Sequence, residues 1–456
     1  MKKVLFTVLC LLLIGTQFLS AGGSQQTGSS KDGVTVVKVW SNDAHNKGEY
    51  TKIVDEFNAG KGAEMGIKIE YTVYGGDYYT VLDLAIAAGE EPHLFKTNKW
   101  PQFVQEGRLI PQTELPAWYQ TEIVDRYRPF MIEGNHMFNG EVYNLPAGGS
   151  AYCTIAYNVE LLASIGLTEA PKTWAEFEKA SIEIAKKNPR KFGAYIPLKY
   201  SNFHLYYTEP VLISSYGHTW FDFTNNRYCF TDFVDYFEMY QRMYQAGALF
   251  PGIESLDDDT ARAQFSEGNI AFVMENPSFN VGVFYDQFPA KMEWKVASIP
   301  LRDPNNYYHN QGAAGAAFAI STKVREEGIT EQVARAYAVL MSDELAMTLF
   351  TAGKDLPRLP EHIENAAPST RPQWNDIAKL NIGSVARPGM PDAYFAVEGD
   401  DVHTAFSKIF VGGNAREILA DLEKRYNEAY DKAAERGIVS KEYFYRPTFA
   451  ERLQIK

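Results

Sequence analysis

The hydrophobic pattern of the first part of the chain alternates between two periods. Residues 34–40 form a short apolar run and residues 67–73 alternate apolar with polar positions, so both are predicted to be β-strands. Apolar residues recur at helical spacing over 50–57, and a second helical stretch runs over 77–89. A third short strand is predicted at 93–97. Strands and helices in this alternating order predict a parallel sheet with helices on its faces.

The middle of the chain has the same kind of pattern with its own apolar positions. Thr173 and Glu176 have the spacing of a capping box, and the residues after them predict a helix with one apolar face. Another helix is predicted over 233–244 and ends at Gly247. Residues 269–274 and 294–299 are predicted to be strands. After residue 321 the chain is mostly helical, and its last long helix is predicted to open at Asn414.

Length and charge narrow the class of protein. A chain of 456 residues is too long for one ordinary core, so two or more domains are expected. The formal net charge is −13, which repels phosphate backbones and makes nucleic acid an unsuitable partner. Aromatic residues make up 14% of the chain, and we expect some of these rings to serve a binding surface rather than a core.

The N-terminal segment has the layout of a secretory signal peptide. Lys2 and Lys3 precede an apolar run over 4–14, and small residues follow at 20–24. We expect residues 1–22 to be removed and residues 23–33 to be a flexible tether. Gly22 and Gly23 occupy the position where a lipoprotein would carry its cysteine, so a lipid anchor is not expected.

Catalytic and metal-binding motifs are not found in the sequence. Ser150 lies in Gly-Gly-Ser-Ala-Tyr, which lacks the second glycine of a nucleophile elbow, and neither a zinc-protease motif nor a phosphate-binding loop occurs. The carboxylates of 257–259 are interpreted as an acidic helix start rather than a calcium site. Cys153 and Cys229 could form a disulfide or remain two separate thiols. No cofactor and no metal are expected, although sequence alone leaves a spatial pair of catalytic carboxylates open.

The strand ends direct attention to particular loops, because open α/β sheets bind ligands beyond the carboxyl ends of their strands. These loops lie at 40–43, 98–100 and 275–279. A separate stretch, HNQGAAGAAFAIS at 309–321, is rich in Gly and Ala within an aromatic chain. Small residues in a strand usually mark a place where another backbone or a ligand comes close.

Several segments together resemble the extracellular solute-binding proteins of ABC transporters, the maltose-binding-like sugar-binding family. They occur in the family's order through most of the chain: VVKVWSND, GGDYYTVLDLAIAAGEEPHLF, GEVYNLPAGGSAYCTIAYNVELLASIGLTEAPKTWAEFEKA, ARAQFSEGNIAFVMENPSF, WKVASIP, GAAGAAFAIS and YAVLMSDELAMTLF. The order and spacing of these segments, rather than any single motif, carry the resemblance.

The resemblance implies an α/β fold of two lobes, each a mostly parallel sheet flanked by helices, with a ligand cleft between them. On this view the first lobe contains residues 34–140 and 310–352, and the second contains 141–309 and 353–456. The lobes would close about hinges near 141–145 and 309–312. The Gly/Ala stretch would then let the returning chain pack tightly beside the hinge. The protein would be a periplasmic monomer that delivers a carbohydrate to membrane permease subunits.

Candidate ligand-binding residues follow from the strand ends and from the resemblance. Aromatic rings cover the apolar faces of sugars, and polar side chains bond the hydroxyls. The candidate rings are Trp40, Trp100, Trp220, Phe279 and Phe395. The candidate polar contacts are Asn42, Asp43, Asn98, Lys99, Glu275, Asn276, His309 and Gln311. Each ring could equally be a core residue, and each polar residue could be an ordinary turn residue. Trp174 and Trp294 are assigned to the core.

Three functions are compatible with these features. The first is a carbohydrate-binding protein of an ABC importer. The second is a secreted carbohydrate-active enzyme, which would share the rings and the carboxylates. The third is a binding protein for another solute, such as a polyamine or an anion, although no cluster of Arg at the predicted strand ends favours an anion.

Overall fold

The computed structural model describes residues 33–75, 77–151, 154–199, 203–308, 315, 317–381, 384–385 and 388–453. The strands are β1 (Thr35–Ser41), β2 (Ile67–Val73), β3 (Leu94–Phe95), β4 (Met137–Phe138), β5 (Glu141–Val142), β6 (Thr154–Asn158), β7 (Phe221–Asp222), β8 (Arg227–Tyr228), β9 (Phe272–Asn276), β10 (Trp294–Ser298) and β11 (Ala319–Ile320).

The α-helices up to residue 282 are α1 (Lys47–Ala59), α2 (Lys61–Met65), α3 (Tyr78–Ala88), α4 (Trp100–Gln105), α5 (Ala117–Tyr119), α6 (Asp125–Tyr127), α7 (Val159–Ser164), α8 (Trp174–Lys187), α9 (Phe203–Tyr207), α10 (Glu209–Tyr216), α11 (Val234–Gln245), α12 (Asp258–Ser266) and α13 (Asn280–Gly282). Those that follow are α14 (Lys323–Glu326), α15 (Thr330–Leu340), α16 (Asp343–Thr351), α17 (Pro360–Asn365), α18 (Pro372–Asn381), α19 (Val402–Phe410), α20 (Ala415–Glu435), α21 (Lys441–Phe444) and α22 (Phe449–Leu453). Shorter helical turns occupy Gln112–Glu114, Gln120–Val124, Arg128–Phe130, Phe230–Phe233, Val283–Gln287 and Pro391–Ala393.

The first sheet has the strand order β11-β3-β1-β2. β1 pairs in parallel with both β2 and β3, as the strand–helix alternation predicted. β2 spans the predicted residues, whereas β3 is shorter than predicted. β11 joins the edge of this sheet antiparallel to β3, so the end of the Gly/Ala stretch is a strand of the first sheet.

Helix starts follow the predicted capping chemistry. The Thr173 side chain accepts a hydrogen bond from the backbone N–H of Glu176, and the Glu176 carboxylate accepts one from the backbone N–H of Thr173, which confirms the capping box. Asn414 caps α20 by accepting from the backbone of Glu417. Asp257 caps α12 in the same way, so the acidic run at 257–259 is a helix start, as interpreted.

The second sheet has the order β10-β6-β9, and its polarity differs from the expectation. β6 runs antiparallel to both of its neighbours, so the named strands of this sheet are not mostly parallel. The reason is the route of the chain. β6 is the strand by which the chain enters this sheet from the first lobe, and its amino end, Thr154, lies beside the carboxyl ends of β9 and β10. β9 and β10 are parallel to each other on either side of it.

Two separate hydrophobic cores accompany the two sheets. The first contains residues of β1, β2, α15 and α16, together with Val142 and Leu145. A smaller group of buried residues beside it includes Tyr78, Phe95 and Phe103. The second core begins at Ala151 and collects β6, α8, α11, α19 and α20. Trp174 and Trp294, which were assigned to the core, are 6% and 5% exposed within it.

Three chain segments connect the cores, and they lie against one another. These connecting segments are, in chain order, the residues near 145–150, near 315–317 and near 353–357. Gly149 and Leu356 exchange two backbone hydrogen bonds of 3.0 and 3.1 Å, and Ala317 donates to the carbonyl of Leu145 at 2.9 Å. A Cβ placed on Gly315 would lie 2.2 Å from the carbonyl oxygen of Gly148. The small residue at 315 is therefore needed for the contact of two backbones, which is one of the two explanations offered by the sequence.

The predicted signal peptide and tether fall almost entirely outside the described residues, which begin at Gly33. Across the parts of the chain that the structure describes, every helix is too short or too polar to cross a lipid bilayer.

Candidate functional site

A cleft of about 610 Å³ opens between the two sheets, beside the three connecting segments. Its walls come from three parts of the chain. The first lobe contributes residues that follow β1 and β3, the connecting segments form the floor, and the turn after β9 forms the opposite wall. The lining residues are Asp43, His45, Asn46, Lys96, Gly148, Gly149, Ser150, Phe279, Gly282, Val283, Asp286, Gln287, Gly315, Lys354 and Asp355.

Asp43 and Lys96 form a charged pair on the first-lobe wall. Asp43 follows the carboxyl end of β1 and Lys96 that of β3, and these parallel strands are neighbours in the sheet. The Lys96 Nζ lies 3.5 Å from Asp43 Oδ2, which also accepts a hydrogen bond of 2.9 Å from the Asn46 side chain. The candidate Asp43 thus lines the cleft, and its carboxylate is oriented by Lys96 and Asn46.

Asp355 lies on the floor of the cleft, on the third connecting segment. Burial raises the pKa of its carboxyl to about 7, and the nearby charge of Asp43 acts in the same direction, while Lys96 opposes them. Next to it, the Lys354 ammonium donates to Glu49 at 2.7 Å and to the carbonyl of His45 at 3.0 Å. These two bonds tie the connecting segment to the start of α1.

The second-lobe wall is formed around Phe279, which lies three residues after the end of β9. Phe279 is half-buried, and the guanidinium of Arg262 lies 5.3 Å from the centre of its ring. Arg262 is itself held by Asp258 and Asp259 at 3.5 and 3.2 Å. The candidate Phe279 therefore lines the cleft and is fixed by a cation that does not itself line it. Asp286, on the same wall, pairs with Arg371 at 2.8 Å.

A group of aromatic side chains lies at the carboxyl ends of β1 and β2. Two candidate residues, Trp40 and Asn42, contact it and lie shortly before Asp43 in the chain. The ring of Trp40 contacts that of Tyr74 with centres 4.8 Å apart. Asn42 donates to the hydroxyl of Tyr79 at 3.3 Å, and this hydroxyl is on an exposed side chain of α3. Trp40 is partly exposed. The candidates Trp40 and Asn42 thus lie beside the cleft rather than among its lining residues.

Two candidate tryptophans belong to the cores instead of the cleft. Trp100 is 5% exposed and packs with Phe95 and Phe103. Pro101 lies in the first turn of α4, and the Trp100 ring at the start of this helix is buried. Trp220 is 1% exposed, with Phe230 stacked at 6.5 Å and Phe406 against its edge. The structure contradicts the prediction that these two rings line the cleft, because protein covers both.

The other described candidates lie outside the lining of the cleft. Asn98 is exposed in the turn after β3. Lys99 pairs with Asp83 of α3 at 2.6 Å, so its charge is used within the first lobe. Phe395 stacks on Tyr430 of α20 with ring centres 6.2 Å apart and packs against the second core.

Four candidates have side chains outside the described residues. Glu275 and Asn276 are described only as the last backbone positions of β9, and His309 and Gln311 lie wholly outside the described residues. Cys153 is also outside them. Cys229 is a free, buried thiol.

Sequence reasoning missed the polar residues of the floor and of the second-lobe wall. Lys354, Asp355 and Asp286 were not candidates, because none of them follows a predicted strand. The third connecting segment does carry a local signal. Gly353 has a φ of 69° after α16, and Pro357 follows four residues later, so the pattern marks a helix end followed by extended chain.

Residues 44–344 match the family of bacterial extracellular solute-binding proteins. This match covers more than half of the chain, and the protein belongs to that family. Its members are binding proteins rather than enzymes.

Two curated relatives from Bacillus subtilis (strain 168) are similar over part of their length. The arabinooligosaccharide-binding protein is 24% identical over 42% of this chain and 44% of its own length. The melibiose/raffinose/stachyose-binding protein MelE is 23% identical over 48% of this chain and 49% of its own. The chain thus spans about half the length of the curated relatives that it matches.

Solved structures share the fold over a greater length. The sugar-binding protein MalE of Xanthomonas citri superimposes with a TM-score of 0.69 at 19% identity, covering 89% of this chain and 99% of that protein. At this identity the likeness establishes the fold, which is the two-lobe α/β fold of periplasmic binding proteins.

Proposed function

We propose that this protein is the substrate-binding component of an ABC importer and that it binds a carbohydrate in the cleft between its lobes. The observation that carries the proposal is the composition of the cleft. A half-buried ring, Phe279, faces a first-lobe wall that holds carboxylate, amide and ammonium groups side by side. Sugars need this combination, because their C–H faces pack on rings while their hydroxyls both donate and accept.

The size and the charges of the cleft support the same class of ligand. A volume of about 610 Å³ lies in the usual range of ligand pockets, roughly 300–1,000 Å³. Asp43 and Asp286 are each paired with a cation, so the walls favour an uncharged polar ligand over a free ion. The names of the two curated relatives, which bind arabinooligosaccharides and melibiose, raffinose or stachyose, agree with an oligosaccharide.

The proposed mechanism is closure of the lobes over the ligand. The proposal includes the division into lobes at 34–140 with 310–352 and at 141–309 with 353–456, and the cores support one change to it. Val142 and Leu145 still pack in the first core, so the first crossing falls at about 146–150. Three backbone segments that cross between two lobes can act as a hinge by small changes in their dihedral angles.

The location and the partners belong to the same proposal. A protein with this function works as a monomer in the periplasm after its signal peptide is removed, and it delivers the carbohydrate to permease subunits of the inner membrane. It performs no catalysis. Incubation with labelled oligosaccharide tests this last point, since steady release of shorter sugars that Asp43→Asn abolishes would favour the enzyme instead.

A thermal-shift screen over mono- and oligosaccharides tests the binding function. A ligand at one hundred times its dissociation constant stabilises the folded protein by about 2.7 kcal/mol, which raises the melting temperature measurably. Polyamines and inorganic anions belong in the same screen. If only these shift the melting temperature, the carbohydrate proposal is wrong while the binding function stands.

Single-residue variants then locate the site. Phe279→Ala removes the ring from the cleft wall, and we expect a loss of about 2 kcal/mol in binding, or roughly thirtyfold in affinity. Tyr244→Ala is the matched control, because Tyr244 is an aromatic residue that is 41% exposed on α11 and does not line the cleft. Isothermal titration with the sugar found in the screen measures both variants. Equal affinity of Phe279→Ala and wild type would remove Phe279 from the site.

A further inference from the structure

Three potential metal ligands meet in the second lobe at a distance along the chain from every cleft residue. His218 follows the end of α10, Cys229 follows β8, and Asp232 lies in the helical turn before α11. One ligand atom from each residue lies within 4.8 Å of the other two. Within the described part of the chain this is the one such trio of His, Cys, Asp or Glu side chains.

The hydrogen bonds of His218 determine which of its nitrogens is available. Nδ1 lies 2.8 Å from the carbonyl oxygen of Thr219. A carbonyl can only accept, so Nδ1 carries a proton, and in a neutral ring Nε2 then carries a lone pair. This arrangement is the usual support of a metal-binding histidine, whose other nitrogen donates to a carbonyl or a carboxylate.

The lone pair of Nε2 points at another acceptor. Asp232 Oδ2 lies 3.5 Å from Nε2, at a distance where two acceptors repel each other. The contact becomes favourable only when a second proton or a metal ion lies between the two atoms. The Sγ of Cys229 is 3.3 Å from the Nδ1 atom of the same ring, so the thiol lies against the imidazole of His218.

The surroundings favour a cation at this position. Cys229 is 1% exposed, and the negative charges of Asp232, Asp222 and Glu423 act on its thiol, opposed by the one positive charge of Arg227. The excess of nearby carboxylates attracts a positive ion to this position. The ring of Phe233 lies 5.5 Å from that of His218 and shields one side from water.

We propose that Cys229, His218 and Asp232 bind one zinc ion or a similar thiol-preferring divalent cation. The ligands are Cys229 Sγ, His218 Nε2 and a carboxylate oxygen of Asp232, and solvent occupies the fourth position. This donor set of sulfur, nitrogen and oxygen is the set that zinc accepts. Binding releases the thiol proton of Cys229 to solvent, so that the thiolate balances one charge of the ion. The sequence did not indicate the site, because the spacing between residues 218, 229 and 232 is not that of a known zinc motif.

The site would act on the second lobe rather than on the cleft. His218 and Cys229 flank the hairpin of β7 and β8, and Thr231, between Cys229 and Asp232, donates two hydrogen bonds to Glu423 of α20. An ion would therefore fasten the base of the hairpin to the turn that packs on α20. This role does not depend on the proposed function of the cleft.

Cobalt is the probe for the first experiment, because a thiolate bound to Co²⁺ gives a charge-transfer absorption that other ligands do not. The purified protein is freed of metal with a chelator and titrated with Co²⁺. We expect the absorption to saturate at one equivalent and to be displaced by Zn²⁺. Cys229→Ser should lose it, whereas Cys153→Ser, the matched thiol control, should keep it. An absence of the band in the wild type, or its presence in Cys229→Ser, would overturn the proposal.

A second variant decides the matter if Cys229→Ser does not fold. Asp232 is 45% exposed, so Asp232→Asn should leave the fold intact. We expect its affinity for Zn²⁺, measured by competition with a chelating dye, to fall tenfold or more. We also expect Zn²⁺ to raise the melting temperature of the wild type and not that of Cys229→Ser. Unchanged Zn²⁺ affinity in Asp232→Asn would mean that Asp232 is not a ligand, and the proposed three-residue site would be wrong.

Discussion

Gly315→Ala is a direct test of the contact between the connecting segments. The added Cβ would lie 2.2 Å from the carbonyl oxygen of Gly148 and 3.3 Å from its carbonyl carbon. Real Cβ atoms essentially never come closer than 3.0 Å to a neighbouring heavy atom, so one backbone must move by about 0.8 Å. Both partners are main chain, which means that no side chain can turn away to relieve the clash.

The expected loss of stability follows from two opposing effects. Forcing an extra carbon into packed structure costs about 1–3 kcal/mol. Replacing Gly by Ala also restricts the unfolded chain, which returns about 0.4–1 kcal/mol. The φ angle of Gly315 is not in the left-handed region, so the alanine adds no further backbone strain. We expect a net loss of about 1–2 kcal/mol, or a melting temperature lower by about 2–8 °C.

Differential scanning calorimetry of the ligand-free protein measures this effect. Gly48→Ala is the matched control, because a Cβ on Gly48 meets no atom within 4 Å and this residue lies in α1. Helix propensity favours alanine there, so its melting temperature should stay the same or rise. If Gly315→Ala is as stable as Gly48→Ala, the backbones of the connecting segments are not in contact and the account of the Gly/Ala stretch is wrong.

Three further predictions concern other parts of the molecule. Trp100→Ala should lower the free energy of unfolding by about 3–5 kcal/mol, since the ring is in the first-lobe core, and a melting temperature near that of the wild type would contradict this placement. Thr173→Ala should cost about 1 kcal/mol by removing the capping box of α8, whereas Thr173→Ser should restore most of it, as measured by urea denaturation. The pKa of the Asp355 carboxyl is about 7 in the folded protein and 3.8 in the unfolded chain. The neutral carboxyl therefore contributes its full share of folding stability below pH 4, and this share is lost as the pH rises through 7. Asparagine stays neutral at every pH, so the stability of Asp355→Asn relative to wild type should rise by about 1 kcal/mol or more between pH 4 and pH 8. The melting temperatures of both proteins are measured across this range. Parallel pH profiles of the two melting temperatures would refute the raised pKa.

The sequence was sufficient for the elements whose signals are local. The alternation in 67–73 fixed β2, and the spacing of Thr173 and Glu176 fixed the start of α8, because period and capping are properties of neighbouring residues. Asp43, which lines the cleft, was chosen as a candidate by the rule that ligands bind beyond the carboxyl ends of parallel strands. The polarity of β6 could not be found this way, since it depends on the direction from which the chain enters a sheet formed by distant strands.

The aromatic candidates illustrate the limit of reasoning from residue type. Trp100 and Phe279 both follow predicted strands, yet one packs in a core and the other lines the cleft. The difference is the direction in which the following turn points the side chain, and no pattern of neighbouring residues encodes it. Asp355 was missed for a related reason, because it reaches the cleft only through the third connecting segment.

The position of β6 and β11 has a consequence for how the chain acquires its structure. β6 needs β9 and β10 on its two sides, and β3 needs β11, so the second sheet is complete only when Ser298 is available and the first only when Ile320 is available. Pairings between such distant segments slow folding, because the chain must close a long loop before the contacts reward it. While the chain emerges from the ribosome, its first 290 or so residues hold β3 and β6 with one partner strand each still missing. We therefore expect a truncated chain that ends before β10 to expose the edges of both sheets and to aggregate, in contrast to proteins whose N-terminal domain folds alone.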